Sequence, residues 1–147
     1  MAFQIELAAA IRAVERAVRV CRKVRSNISD VTALKKEDRS PVTLADLGSQ
    51  AVITIELLSN FNDPIVAEEE AGMLRRNRQL SDSVLDLVRE ETGSIDRNAM
   101  LDAVDYGARD ADFNGRFWTL DPIDGTKGFL RGDQYAIALA LVEKGRV

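Results

Sequence analysis

The stretch Arg116-Phe117-Trp118-Thr119-Leu120-Asp121-Pro122-Ile123-Asp124-Gly125-Thr126 decides how this chain is read. Phe117, Trp118 and Thr119 favour a pleated, half-buried backbone, which predicts a strand over 116–120. A tight turn over 121–126 is expected next. Asp121 then stands at the end of an apolar strand, where a carboxylate is costly unless it meets a cation or hydrogen-bond donors. Asp124 follows three residues later. Gly125 permits close backbone approach, and Thr126 offers a hydroxyl. If a helix starts here, the N–H groups of Gly125 and Thr126 face outward at its positive end and suit a phosphate. Two carboxylates, a hard-cation site and an anion seat within six residues are the parts of a metal-assisted phosphatase. The plainer reading makes Asp121 and Asp124 turn and cap residues. For a bare Asp-x-x-Asp-Gly-Thr, the plainer reading would prevail.

Outward from that stretch, Ile65-Val66-Ala67 reads as a short buried strand that runs into Glu68, Glu69 and Glu70. Neighbouring residues on a strand point to opposite faces, so Glu68 and Glu69 share one site only if the strand ends there. Pro41 is expected to stop any helix before it. Thr43-Leu44-Ala45-Asp46 resembles a capping box, which predicts a helix from Leu44 to about Ser59 with Leu47, Ala51, Ile55 and Leu58 on its apolar face. Asp46 reads equally as a capping carboxylate or as a hydrogen-bonded partner of Thr126 that orients and deprotonates water.

The first helix is expected over about Phe3–Arg25, with Ile5, Ala8, Ile11, Val14, Val18, Cys21 and Val24 as its buried stripe. Its basic residues read as a solvated face. Ser29–Ser40 reads as a polar loop or loose hairpin, and Ala71–Leu80 as a mobile loop. Two helices are expected over Ser81–Glu91, capped by Ser81, and Ile95–Tyr106. Tyr135–Val142 is a nearly continuous apolar run that suits a central strand. Glu143-Lys144-Gly145-Arg146 reads as a hairpin turn. Val147 would then begin a returning strand, which makes the chain read as a fragment.

Composition narrows the chemistry. The 147 residues suit one domain, and a net charge of −4 argues against a nucleic-acid polymer or an anionic membrane as partner. There is no histidine, so no histidine base, phosphohistidine nucleophile or zinc ligand exists in this segment. Cys21 is the single cysteine and reads as a small core residue. No basic leader and no uninterrupted apolar span are visible, so a soluble cytoplasmic protein is expected.

Asp121-Pro-Ile-Asp124-Gly-Thr126, preceded by a strand ending in Ala67-Glu68-Glu69, resembles the signature pair of the lithium-sensitive, magnesium-dependent phosphatase superfamily that includes inositol monophosphatase. Gly115 to Gln134, with Lys127-Gly128-Phe129 where inositol monophosphatases have Thr-Asn-Phe, is similar to the 3′(2′),5′-bisphosphate nucleotidases. Ser40-Pro-Val-Thr43 with Asp46 downstream fits the same group.

The resemblance implies an α+β, layered α/β/α/β/α fold, of which 1–147 would be the N-terminal part of one phosphatase domain. It implies two or three Mg2+ ions. Glu68, Asp121 and the Ile123 carbonyl would hold the first, and Asp121 with Asp124 the second. Glu69 would act through water or at a third, weaker ion. Thr126, bonded to Asp46, would activate the attacking water, and the N–H groups of Gly125 and Thr126 would hold the phosphate. The implied reaction removes the 3′-phosphate of adenosine 3′,5′-bisphosphate, and of its phosphosulfate form, with an inositol phosphate as the rival substrate. A reading of another class is also open: an inactive fragment, or a module that self-associates through the unpaired strand Tyr135–Val142. The family pattern has Gly where this chain has Ala67. A further Asp and the base contacts would come from a C-terminal half.

Overall fold

The computed structural model describes residues 2–27 and 41–147. The expectations for Ser29–Ser40, and for the Thr43 side chain as a cap, lie outside the described residues.

Helix α1 (Gln4–Ser26) packs along helix α2 (Pro41–Leu58). Of the stripe expected from the sequence only Cys21 and Val24 are buried; the rest of the seam lies one step round the helix. Ala9, Ala13, Ala17, Val20, Cys21 and Val24 are buried, whereas Ile5 is 72% and Ile11 50% exposed. The reason is proximity. Alanines at four-residue spacing form a flat ridge, and Gly48 on α2 lies against Val20, so close that an added Cβ would sit 3.0 Å from its Cγ1. Pro41 starts α2 rather than stopping a helix, because a first-turn residue needs no N–H partner. The apolar face expected for α2 was too narrow. Ala45, Leu47, Ala51, Val52, Ile53 and Leu57 are all buried, as befits a helix touched by α1, by three later helices and by the sheet.

Strand β1 (Ile65–Ala67) runs parallel to β2 (Arg116–Asp124), which pairs antiparallel with β3 (Ala136–Glu143). The order β1-β2-β3 makes β3 an edge of the described sheet, half-buried, and not the central strand expected. The expectation of a mixed helix-and-sheet class is met. A parallel pair needs a long crossover. Here it is built from α3 (Gly72–Arg76), α4 (Arg78–Thr92) and α5 (Arg97–Tyr106). The loop expected over Ala71–Leu80 is therefore mostly helical, drawn onto the core by Leu74 and Leu80, both buried. Asn77, not Ser81, caps α4: its side chain accepts the Leu80 N–H at 3.0 Å. Asp96 does the same for α5, accepting from Ala99 at 2.8 Å.

The strand read as ending at Leu120 continues to Asp124. Asp121 faces Ala138 and Asp124 faces Ala136, so one extra residue of β2 is accommodated as a bulge. Pro122 has no N–H to give a ladder, and a bulge is where a strand tolerates it. The turn expected at 143–146 forms, with φ of 51° at Lys144 and 73° at Gly145, the handedness that two-residue hairpin turns prefer.

Helix α6 (Thr126–Arg131) is held by Gly128. The Gly128 carbonyl accepts the Asp133 N–H at 2.8 Å, and an added Cβ would lie 2.1 Å from the Gln134 carbonyl oxygen. Backbone cannot rotate out of the way as a side chain can. Gly128→Ala is expected to cost about 1–3 kcal/mol, read as a lowered urea midpoint. An unchanged midpoint would show that the 132–134 segment is free to move aside.

Candidate active site

The parallel register builds the site. Ala67 pairs with Leu120, so Glu68 and Asp121 are the next residues on neighbouring strands that run the same way. β1 ends at Ala67, which meets the condition for Glu68 and Glu69 to serve one cluster. Asp46 reaches the same region from α2. Its neighbour Ala45 packs with Ile123 and Phe129, tying that turn of α2 to the 121–129 segment.

Asp46 is 8% exposed. Burial, and after it the like charges of Glu69, Glu68 and Asp121, push its pKa up to about 8. Glu69 is also raised, by burial first and then by Glu68 and Asp121. Asp121 Oδ1 is buried and has no hydrogen-bond partner among the described residues. Asp46 and Glu69, with the exposed Glu68 and the half-buried Asp121, thus act on one another as like charges, and among the described residues no cation pairs with them. Such a set is unfavourable by itself and fits a hard cation, which carboxylate oxygens prefer. In this chain's own geometry, among the described residues, no three acidic side chains are drawn in tightly enough to enclose an ion.

Of the remaining expected residues, Ile123 is buried against Ala45 and Phe129. Asp124, Gly125 and Thr126 are exposed, and Gly125 takes the left-handed conformation (φ 90°) that turns the chain into α6. Among the described residues, no hydrogen bond joins Asp46 to Thr126. The structure therefore sets Glu68, Glu69 and Asp121 within range of Asp46's charge, short of an ion-enclosing cluster, and leaves Asp124 and Thr126 exposed to solvent.

Three residues that sequence reasoning missed hold the Glu68–Glu69 segment. Gln50, one helical turn after Asp46 and fully buried, accepts the Glu69 N–H at 3.0 Å and donates to the Glu69 carbonyl at 2.7 Å. Asp105 accepts the Ala71 N–H at 2.7 Å and pairs with Arg75. The Gly107 carbonyl accepts the Ala67 N–H at 2.8 Å. A Cβ on Gly107 would meet Ala67 Cβ at 2.7 Å, so the methyl that stands where the family pattern has glycine fits because the facing residue has none. One signal was available: Asp46, Gln50 and Thr54 recur every fourth residue in a mostly apolar helix, a polar line that solvent hardly reaches.

The sequence model of the inositol monophosphatase family matches residues 3–147. The chain belongs to the inositol monophosphatase family, one whose members are generally metal-dependent. It is 46% identical over 161 residues to a 3′(2′),5′-bisphosphate nucleotidase of Schizosaccharomyces pombe, an alignment covering 99% of this chain and 46% of that protein. It is 44% identical over 160 residues to 3′(2′),5′-bisphosphate nucleotidase 1 of Arabidopsis thaliana, covering 100% of this chain and 45% of the relative. For 3′(2′),5′-bisphosphate nucleotidase 1 of Candida albicans SC5314 the identity is 43%, over 99% of this chain and 44% of the relative. The chain spans about half the length of the relatives it matches. Among the described residues, no helix is long and apolar enough to cross a membrane.

Proposed function

We propose that this chain carries the metal-binding and water-activating residues of a magnesium-dependent phosphomonoesterase, acting on the 3′-phosphate of adenosine 3′,5′-bisphosphate. One observation carries the reading: parallel pairing sets Glu68 beside Asp121, within the field of a buried Asp46, and gathers acidic charge that no cation among the described residues pairs with. The names of the relatives support the nucleotide as substrate.

Glu68 and Asp121, with the Ile123 carbonyl, are the residues to hold one Mg2+, and Asp121 with Asp124 a second. Bound magnesium supplies positive charge against the phosphate oxygens and makes nearby water more acidic. Glu69 supports these ligands from behind, oriented by Gln50. Asp46 suits the part of proton acceptor, because burial and its acidic neighbours raise its affinity for a proton. The Thr126 hydroxyl lies on the rim to orient the water, and the N–H groups of Gly125 and Thr126 face the phosphate. A cytoplasmic setting and freedom from nucleic-acid polymers belong to the same reading.

The test is phosphate release from adenosine 3′,5′-bisphosphate and inositol 1-phosphate, side by side, with Mg2+ and with or without Li+. It is run on this chain and on one carrying the further residues that the relatives have. Lithium-sensitive release from the nucleotide alone is expected of the longer chain, with little from this one. Release from the inositol phosphate alone would replace the substrate. Silence on both would overturn the phosphatase reading.

A further inference from the structure

Gln50 does more than fill a space in the core. It is fully buried, and three hydrogen bonds saturate most of its carboxamide. Its Nε2 donates to the Glu69 carbonyl at 2.7 Å and to the Val104 carbonyl at 2.8 Å, and its Oε1 accepts the Glu69 N–H at 3.0 Å. The side chain thus pairs with both backbone polar groups of Glu69, as a neighbouring strand would. β1 ends at Ala67, so no strand supplies that pairing beyond it. The third bond ties the same carboxamide to the last turn of α5.

The position matters as much as the bonds. Gln50 follows Asp46 by one turn of α2, so both side chains project from one face of one rigid helix. A single element therefore fixes the proposed proton acceptor and the peptide whose side chains are to meet the metal. The space is shaped for this: a Cβ on Gly107 would come within 2.9 Å of Gln50 Nε2.

We propose that Gln50 is a positioning residue for the metal site, setting the direction of the Glu68 and Glu69 carboxylates by clamping the Glu69 peptide. The proposal rests on the metal-site reading given above. It acts through backbone and touches neither metal nor substrate. A supporting partner of this kind typically changes metal affinity 10–100-fold when removed. Gln50→Met keeps length and volume and removes all three bonds. Gln50→Glu keeps the acceptor for the Glu69 N–H but sets an oxygen against the Glu69 and Val104 carbonyls. Both are expected to weaken binding.

The experiment is titration of this chain with Mn2+, followed calorimetrically, for the parent, Gln50→Met, Gln50→Glu and two references. Val84→Ala opens the core in α4, away from the site, and reports general loosening. Asp121→Asn reports whether binding is at the carboxylate cluster. Expected is parent binding that Asp121→Asn removes, at least a tenfold weaker constant for both Gln50 variants, and a Val84→Ala constant within twofold of the parent. Gln50 variants that bind within twofold of the parent would overturn the positioning role alone. Equal weakening by Val84→Ala would also overturn it. A parent that binds no Mn2+, or binds it regardless of Asp121, would overturn the metal-site reading and this inference with it. Should the Gln50 variants fail to fold, the parent still decides. Its Glu69 amide should exchange slowly with solvent, and its Gln50 side-chain amide signals should shift as Mg2+ saturates. Signals that stay fixed through saturation would overturn the inference.

Discussion

Asp121→Asn is expected to lower magnesium-dependent turnover by more than about a hundredfold, beyond the usual cost of losing a supporting partner. Asp121 stands at the meeting of both proposed metal positions, beside Glu68 across the parallel pair. Its Oδ1 is buried with no partner among the described residues, an arrangement that costs stability unless a ligand meets it. The same substitution should stabilise the metal-free chain. Asparagine removes one negative charge from the cluster and offers an N–H2 to its acidic neighbours. Loss of activity with a raised metal-free Tm is the signature of a group kept for function. Loss of activity with a lowered Tm would instead mark Asp121 as a structural residue. Retention of most activity would remove it from the site.

The second large effect concerns Asp46 and pH. Its pKa in the fold is about 8, against 3.8 for the unperturbed group, so the folded state holds its proton more firmly than the unfolded chain. A raised carboxyl contributes stability that is complete below about pH 4 and is lost as pH climbs through 8. The metal-free chain should therefore weaken across that window. Asp46→Asn, which copies the protonated form, should flatten the profile and raise Tm at pH 8 by roughly 5–10 °C, corresponding to a few kcal/mol. Thermal melts of both chains at pH 5 and pH 8, with a chelator present, make the measurement. Parallel profiles would show that Asp46 is far better solvated than its 8% exposure suggests.

The sequence made some parts of this molecule legible and hid others for identifiable reasons. The Asp121–Thr126 and Glu68–Glu69 segments were readable because each couples an apolar strand to a carboxylate, a pairing with a plain energetic cost. The long helices followed from periodicity, and the strands from their apolar and β-branched content. The buried side of α1 did not, because Ile5 and Ile11 outweigh alanines in any count of apolar residues, whereas packing favours the small ones. The helices at 72–80 were hidden by their arginines, which cover solvent while Leu74 and Leu80 turn inward. Gln50 was overlooked for a different reason, despite its place in the polar line with Asp46 and Thr54. A glutamine in a helix is ordinarily a surface residue, and only the tertiary partners Glu69 and Val104 give it another meaning. The sequence offered Asp46, Glu68, Glu69, Asp121 and Asp124 as candidates, but not the single bulge that keeps Asp121 and Asp124 on one strand.

The parallel pairing of β1 with β2 bears on how the molecule forms. Three helices must be laid down before the two strands meet, so their contact closes a long loop, and such contacts are slow to form. Asp46, Glu68 and Asp121 come from three distant stretches of chain. Their mutual repulsion grows as they approach and persists in the metal-free fold. A cation that recognises only the finished arrangement has nothing to grip in the folding transition state. It will leave the rate of folding almost untouched and act by lengthening the lifetime of the folded molecule.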